Sequence, residues 1–124
     1  MDQTIGGQME FEDISPVFFV TDLSTSLAFY RERLGFDIGW AWGDPPTHAN
    51  VCRGRISINL TSNPSAAGGA QAYVSLKGVD AYFAELRERN VAVGELADRP
   101  YGMRDFAVID PNENRLVFGE PIVE

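Results

Sequence analysis

Displaced by 56 positions, the chain falls on itself without a gap. Val17-Phe18-Phe19-Val20 meets Tyr73-Val74-Ser75-Leu76, Leu23 meets Val79, Leu27 meets Phe83, Ala28 meets Ala84, Tyr30 meets Leu86, and Arg31-Glu32-Arg33 meets Arg87-Glu88-Arg89. Self-similarity at a fixed offset means that one supersecondary unit is built twice, which removes most other topologies. The boundaries follow from it: a mobile tail over 1–11, a first module over 12–62, a linker over 63–70 marked by Pro64 and Gly68-Gly69, and a second module over 71–124. The 124 residues suit one ordinary domain.

Both modules follow the same plan. An apolar run of strand formers comes first, at 17–20 and 73–76. A helix follows. Asp22 or Ser24 can cap the first, Leu23, Leu27, Tyr30 and Leu34 recur at helical spacing, and Gly35 suits its exit. In the second, Val79, Phe83 and Leu86 form the apolar stripe with Tyr82 beside it, and Asn90 ends it. Further strands are expected at 37–42, 49–53 and 55–61, and again at 91–96, 105–109 and 115–118, with Asp110-Pro111-Asn112 as a turn. The pattern is βαβββ twice, an α+β fold in which curved mixed sheets carry helices on their outer side.

Alternation then sorts the two faces of the strands. Ile56, Ile58 and Leu60, like Ala72, Val74 and Leu76, belong to a core beneath the helices. Ser57, Asn59 and Thr61, like Gln71, Tyr73 and Ser75, are too polar for it and line something wetter. Two such half-sheets curving together make a cup, the natural seat of a ligand.

Charge and composition exclude several partners. Ten Lys and Arg against eighteen Asp and Glu leave a net charge of −8, which repels nucleic-acid phosphates and attracts cations. No apolar stretch reaches a membrane-spanning length, and the N-terminal residues lack the basic and apolar regions of a secretory leader. The single cysteine, Cys52, permits no internal disulfide and no zinc cluster, so a cytoplasmic protein is expected. The one histidine, His48, follows Asp44-Pro45-Pro46-Thr47 in an expected loop, where a solvated side chain is the plain reading.

Over residues 14–121 the chain resembles the vicinal oxygen chelate superfamily of glyoxalases, extradiol dioxygenases, and fosfomycin- and bleomycin-resistance proteins. The segment from Ser15-Pro16-Val17 through Thr21-Asp22-Leu23 to Phe29-Tyr30 carries the resemblance most strongly. Arg33-Leu34-Gly35-Phe36 and Asp110-Pro111-Asn112-Glu113-Asn114 extend it, with Glu113 where the family's turn has glycine. The resemblance places the family's metal-ligand positions at Ser15, Asn59, Gln71 and Val117. None of these is a carboxylate or an imidazole, the donors that a tightly held divalent ion wants, so neither metal nor cofactor is expected.

A cup without metal ligands most resembles the bleomycin-resistance proteins, which bind a cationic glycopeptide drug stoichiometrically and perform no chemistry. Ser15-Pro16-Val17 resembles their opening strand, with Pro16 as a hinge for strand exchange, and Pro100-Tyr101-Gly102 through Phe106 resembles their Pro-Trp-Gly stretch. The expected ligand contacts are Phe19, Trp40, Trp42, Ser57, Asn59, Gln71, Tyr73, Tyr101 and Phe106. Trp40 and Trp42, two apart, share one strand face, where indoles stack on planar or cationic groups or plug an interface. Asp44, Glu95 and Asp98 supply an acidic rim. Open sheet edges, and the family's habit of completing the cup with two chains, imply a homodimer. Two alternatives stand beside this reading. One is a lyase, isomerase or dioxygenase with a divergent metal site recruiting His48 with Glu113 or Glu120. The other is a sensor or immunity-like module for a metabolite or another antibiotic.

Overall fold

A computed structural model describes residues 7–123; the first six positions of the expected tail and residue 124 lie outside the described residues. No strand or helix forms from Gln8 to Pro16. β1 (Val17–Val20) leads into α1 (Leu23–Ala28), and Asp22 is its cap: the carboxylate accepts from the Ser24 N–H at 3.2 Å and from the Thr25 hydroxyl at 2.8 Å. Hydrogen bonds from Thr25 and Ser24 hold that carboxyl below the ordinary aspartate range.

After Ala28 the helix widens into a π-helical turn, Phe29–Arg33, and Gly35 reverses the chain at φ 75°. α2 (Val79–Glu88) ends at Asn90, φ 62°. Gly35 and Asn90 are one position out of step with the 56-residue offset. The first helix therefore carries an extra residue, and its wide turn absorbs it.

The remaining strands are β2 (Asp37–Gly43), β3 (Pro46–Arg53), β4 (Ile56–Ser62), β5 (Gln71–Ser75), β6 (Ala97–Asp98), β7 (Met103–Ile109) and β8 (Arg115–Pro121). They form two four-stranded mixed sheets, ordered β1-β4-β3-β2 and β5-β8-β7-β6. The duplication is visible in the register: in the two parallel pairs Val17 opposes Asn59 and Tyr73 opposes Val117. A short 3-10 turn, Pro64–Ala66, interrupts the linker.

The strand expected over 91–96 is a correction. It is reduced to a single bridge between Val93 and Val108, and regular pairing with β7 begins only at β6. Gly94 follows β7 through its backbone, donating to the Ala107 carbonyl at 2.9 Å. Glycine and glutamate at 94 and 95 are poor strand formers, and the ladder does not extend through them.

The helix-bearing faces of both sheets join one buried cluster, with Phe18, Tyr30, Ile58 and Leu60 from the first module and Val74, Tyr82, Phe106 and Phe118 from the second. Polar contacts also cross between the modules inside or at the rim of that cluster. The Tyr30 hydroxyl donates to Asp110 at 2.9 Å, the Tyr82 hydroxyl to the Leu34 carbonyl at 2.8 Å, and Arg53 forks onto Glu85 at 2.8 and 3.0 Å while lying over the Tyr82 ring. Because the two sheets share their apolar side, the polar side of each is turned away from the other.

Candidate functional site

The polar face of the first sheet is built by register. Residues directly opposed on paired strands share a face. His48 opposes Thr61, Asn50 opposes Asn59 and Cys52 opposes Ser57 across β3 and β4, and Phe19 opposes Thr61 across β1 and β4. The polar groups satisfy one another. The Asn50 amide donates to the Asn59 carbonyl oxygen at 2.9 Å, the Ser15 and Ser57 hydroxyls lie 2.7 Å apart, and the Thr47 hydroxyl meets His48 Nδ1 at 2.9 Å.

A β-bulge places the two tryptophans on this face. Asp37 opposes Cys52 and Ile38 opposes Val51, but the next pair is Trp40 with Asn50, then Trp42 with His48. Gly39 is the extra residue of the bulge. Strict alternation from Asp37 would have sent both indoles to the core side; the inserted residue exchanges the faces. Glycine suits the position, because a β-carbon at 39 would meet the Asn50 side-chain amide oxygen and displace it from its place beside Asn59. Trp40 is 48% and Trp42 67% exposed, and Trp42 packs edge-on against His48 with ring centroids 5.6 Å apart.

The polar face of the second sheet carries Gln71, Tyr73 and Val117, with Tyr101 from the β6–β7 loop beside them. Its centre is a residue that the sequence reading passed over. Asp105 is 3% exposed, and one carboxylate oxygen accepts from both the Tyr73 hydroxyl (2.9 Å) and the Tyr101 hydroxyl (2.6 Å), while the other accepts from Arg99 Nε (2.9 Å). Burial alone would raise this carboxyl, but the hydrogen bonds from Tyr101, Arg99 and Tyr73 outweigh it and hold the pKa below the usual value. Burial and the Asp105 hydrogen bond push the Tyr73 phenol up to about 12, and the hydrogen bond to Asp105 also raises that of Tyr101. Gly119 opposes Asp105 on β8 and clears the space: a β-carbon there would strike the Tyr73 hydroxyl. The available signal was parity, since Asp105 alternates with the apolar Phe106 and falls on the odd, wet side with Ala107 and Ile109.

One expected contact is corrected. Phe106 does not line either polar face. It is fully buried on the helix side, opposite Phe118 and ringed by Tyr82 and Phe83, so it belongs to the core. Phe19, Trp40, Trp42, Ser57 and Asn59 are brought together on the first wall, and Gln71, Tyr73 and Tyr101 on the second. Within one chain the two walls are not brought to face each other.

The positions corresponding to family metal ligands do not fit a divalent cation. Ser15 bonds Ser57, the Asn59 oxygen accepts from Asn50, the Gln71 oxygen accepts from Arg115 at 3.2 Å, and Val117 offers only alkyl groups. They also divide between the two walls. Among the described residues no three His, Cys, Asp or Glu side chains are grouped as a metal site.

The duplicated βαβββ architecture agrees with a family model for "Glyoxalase superfamily protein", which matches residues 1–123. The chain belongs to the glyoxalase superfamily. Within it, this member is 26% identical over 132 aligned positions to a bleomycin resistance protein of Geobacillus stearothermophilus, covering 86% of this chain and 95% of that one. It is also similar to the crystal structure of TnmS3, an antibiotic-binding protein of a Streptomyces species, with 26% identity, a TM-score of 0.77, and coverage of 93% of this chain and 100% of that one. The fold matches that of a bleomycin-binding protein from Streptomyces verticillus solved with copper(II)-bleomycin, at 24% identity, TM-score 0.78, and coverage of 90% and 97%. No helix of the described residues is long and apolar enough to cross a membrane.

Proposed function

We propose that this glyoxalase-superfamily member is a non-catalytic binding protein that sequesters an organic, preferably cationic, antibiotic of the bleomycin type, one molecule per wall pair. The observation that carries the reading is the composition of the walls. Their polar groups are largely engaged with one another, while the rings of Trp40, Trp42, Tyr73 and Tyr101 stand exposed on a protein of net charge −8. Exposed indoles and phenols suit stacking on planar or cationic groups. A side-chain set that does not fit a divalent cation supports binding over metal-assisted turnover, and the similarity to bleomycin-resistance and antibiotic-binding proteins points the same way.

The binding unit we infer is a homodimer. Each chain turns its two walls outward, so a cup forms when the first wall of one copy faces the second wall of another. Met9, Phe11 and Ile14, exposed ahead of β1, give that arrangement further apolar surface to cover. In the described chain β1 pairs with its own β4, and the Pro16 carbonyl accepts from the Asn59 N–H at 2.9 Å.

Titration with metal-free bleomycin, followed by tryptophan fluorescence, tests the reading. Saturable quenching at micromolar drug, one drug per chain, with the drug recovered chemically unchanged, is the expected result. A flat titration removes the drug assignment, and conversion of the drug removes the non-catalytic one.

A further inference from the structure

The two walls differ in chemistry, and the second holds a device that aromatic stacking does not use. We propose that Asp105 is a positioning residue that turns Tyr73 and Tyr101 into a paired hydrogen-bond acceptor site, selecting ligands that present N–H protons between the two rings. This deepens the binding reading above and rests on it.

A phenol has one proton and an oxygen with lone pairs. Here both protons point to the same place, since Tyr73 and Tyr101 each donate to Asp105 Oδ2. An ionised carboxylate has no proton to return, so the direction of both bonds is fixed. What each phenol oxygen keeps for the solvent side is acceptor capacity alone. The carboxylate is buried and tied at its other oxygen to Arg99 Nε, and Arg99 Nη2 donates to the carbonyls of Glu95 (2.7 Å) and Asp105 (3.2 Å). Arg99 therefore holds the carboxylate in place under the two rings. Gly119 lets the Tyr73 hydroxyl reach across β8 to this meeting point.

A further charged group on this wall is Arg115, with Glu113 close to the same end. Arg115 opposes Gln71, two positions before the Tyr73–Val117 pair, and its guanidinium donates to the Gln71 oxygen. The wall is thus graded: a donor end at Arg115 and an acceptor end at Tyr73 and Tyr101. Ammonium, amidine and amide N–H groups fit the acceptor end, and tertiary nitrogens and carboxylates do not.

Two planar cations of equal charge separate this from general attraction: 3,6-diamino-10-methylacridinium, which carries exocyclic N–H bonds, and 3,6-bis(dimethylamino)-10-methylacridinium, which carries no N–H at all. Hydrogen bonds from a charged donor predict that the wild-type chain binds the first about tenfold more tightly. The double variant Tyr73→Phe/Tyr101→Phe keeps both rings and the fold's apolar contacts, and its preference falls to about unity, a ratio that mere destabilisation would not move. Asp105→Asn, which can donate to a phenol oxygen and release that phenol's proton outward, likewise reduces the preference. Retention of the tenfold ratio in the Phe/Phe variant, or binding of neither acridine by the wild type, overturns the inference. Bleomycin binding with no acridine preference sinks this inference and leaves the proposed function standing; the preference without bleomycin binding does the reverse.

Discussion

Arg33 and Arg89 occupy the same place in the two modules, and each closes the end of the other's helix. Arg33 Nη1 donates to the main-chain carbonyls of Arg89 (2.9 Å) and Asn90 (3.3 Å), and Arg89 Nη1 donates to that of Glu32 (3.0 Å). The repeated Arg-Glu-Arg triplet is therefore a reciprocal clasp. Helix C-termini leave carbonyls unpaired and favour cations, which explains how two like charges meet there; Glu85, bonded to Arg89 Nε at 3.0 Å, supplies the countercharge. Each single replacement, Arg33→Met or Arg89→Met, should cost about 1 kcal/mol in urea unfolding. Because both act at one junction, the double variant should depart from additivity by about 0.5 kcal/mol or more. Strictly additive losses would show two independent caps.

The Tyr30–Asp110 bond joins the modules where neither side chain meets solvent. Burial, then the Asp110 charge and its hydrogen bond, push the phenol far above its ordinary value. Asp110 also accepts from the Asn112 and Asn114 N–H groups at 2.8 and 2.9 Å, and so holds the β7–β8 turn. Tyr30→Phe keeps the ring and strands one carboxylate oxygen with a single remaining donor, the Asn114 amide. The expected cost is about 1–3 kcal/mol, read from the unfolding midpoint.

Glu113 stands at φ 65° in that turn, exposed, at a position where the backbone suits glycine. Glu113→Gly should stabilise the chain by about 1 kcal/mol, since it relieves a left-handed side chain and removes no buried contact. A lower thermal midpoint in calorimetry would be the contrary outcome.

Alkaline pH should weaken the fold through its phenols. Tyr82, raised to about 12 by burial, and Tyr73, raised to about 12 by burial and Asp105, both start from an unfolded value of 10.0. A raised folded value means that the neutral phenol is favoured in the native state. The stability it contributes is complete below pH 10 and is lost as the pH climbs through about 12. Phenolate absorbance should show these two groups ionising after the exposed tyrosine population expected of an unfolded chain, and Asp105→Asn should bring the Tyr73 step to lower pH.

Gly39→Ala should cost about 1–3 kcal/mol, because the new methyl meets Asn50 inside a closely paired ladder. Unfolding in urea measures it, and an unchanged midpoint would mean that β2 shifts freely at its bulge.

Much of this architecture is legible in residue order, for a physical reason: alternation and helical spacing report burial directly. Ile58 and Leu60 against Ser57 and Asn59, or Val74 against Tyr73, sort correctly because their strands are regular. Asp22 and Gly35 announce the ends of the first helix because capping and left-handed turns demand particular side chains. What is less legible depends on long-range partners. Phe106 reads as a wall residue when a motif is matched, yet its neighbour Asp105 holds the wet side. The Asp105 cluster joins residues 73, 99, 101 and 105 through a gap left by Gly119, and nothing local advertises that meeting. Nor does any local pattern announce the widened turn that breaks the 56-residue offset within the first helix.

The bulge in β2 shows that the character of this surface is governed by backbone register as much as by residue choice. Were β2 to run through Gly39 in plain up-and-down order, with no residue set aside at the bulge, two indoles would pass through the sheet from water into the hydrocarbon interior, with Ala41 and Gly43 emerging in their stead. Two chains with the same residues in this strand, one bulged and one not, would thus present wholly different surfaces to a ligand.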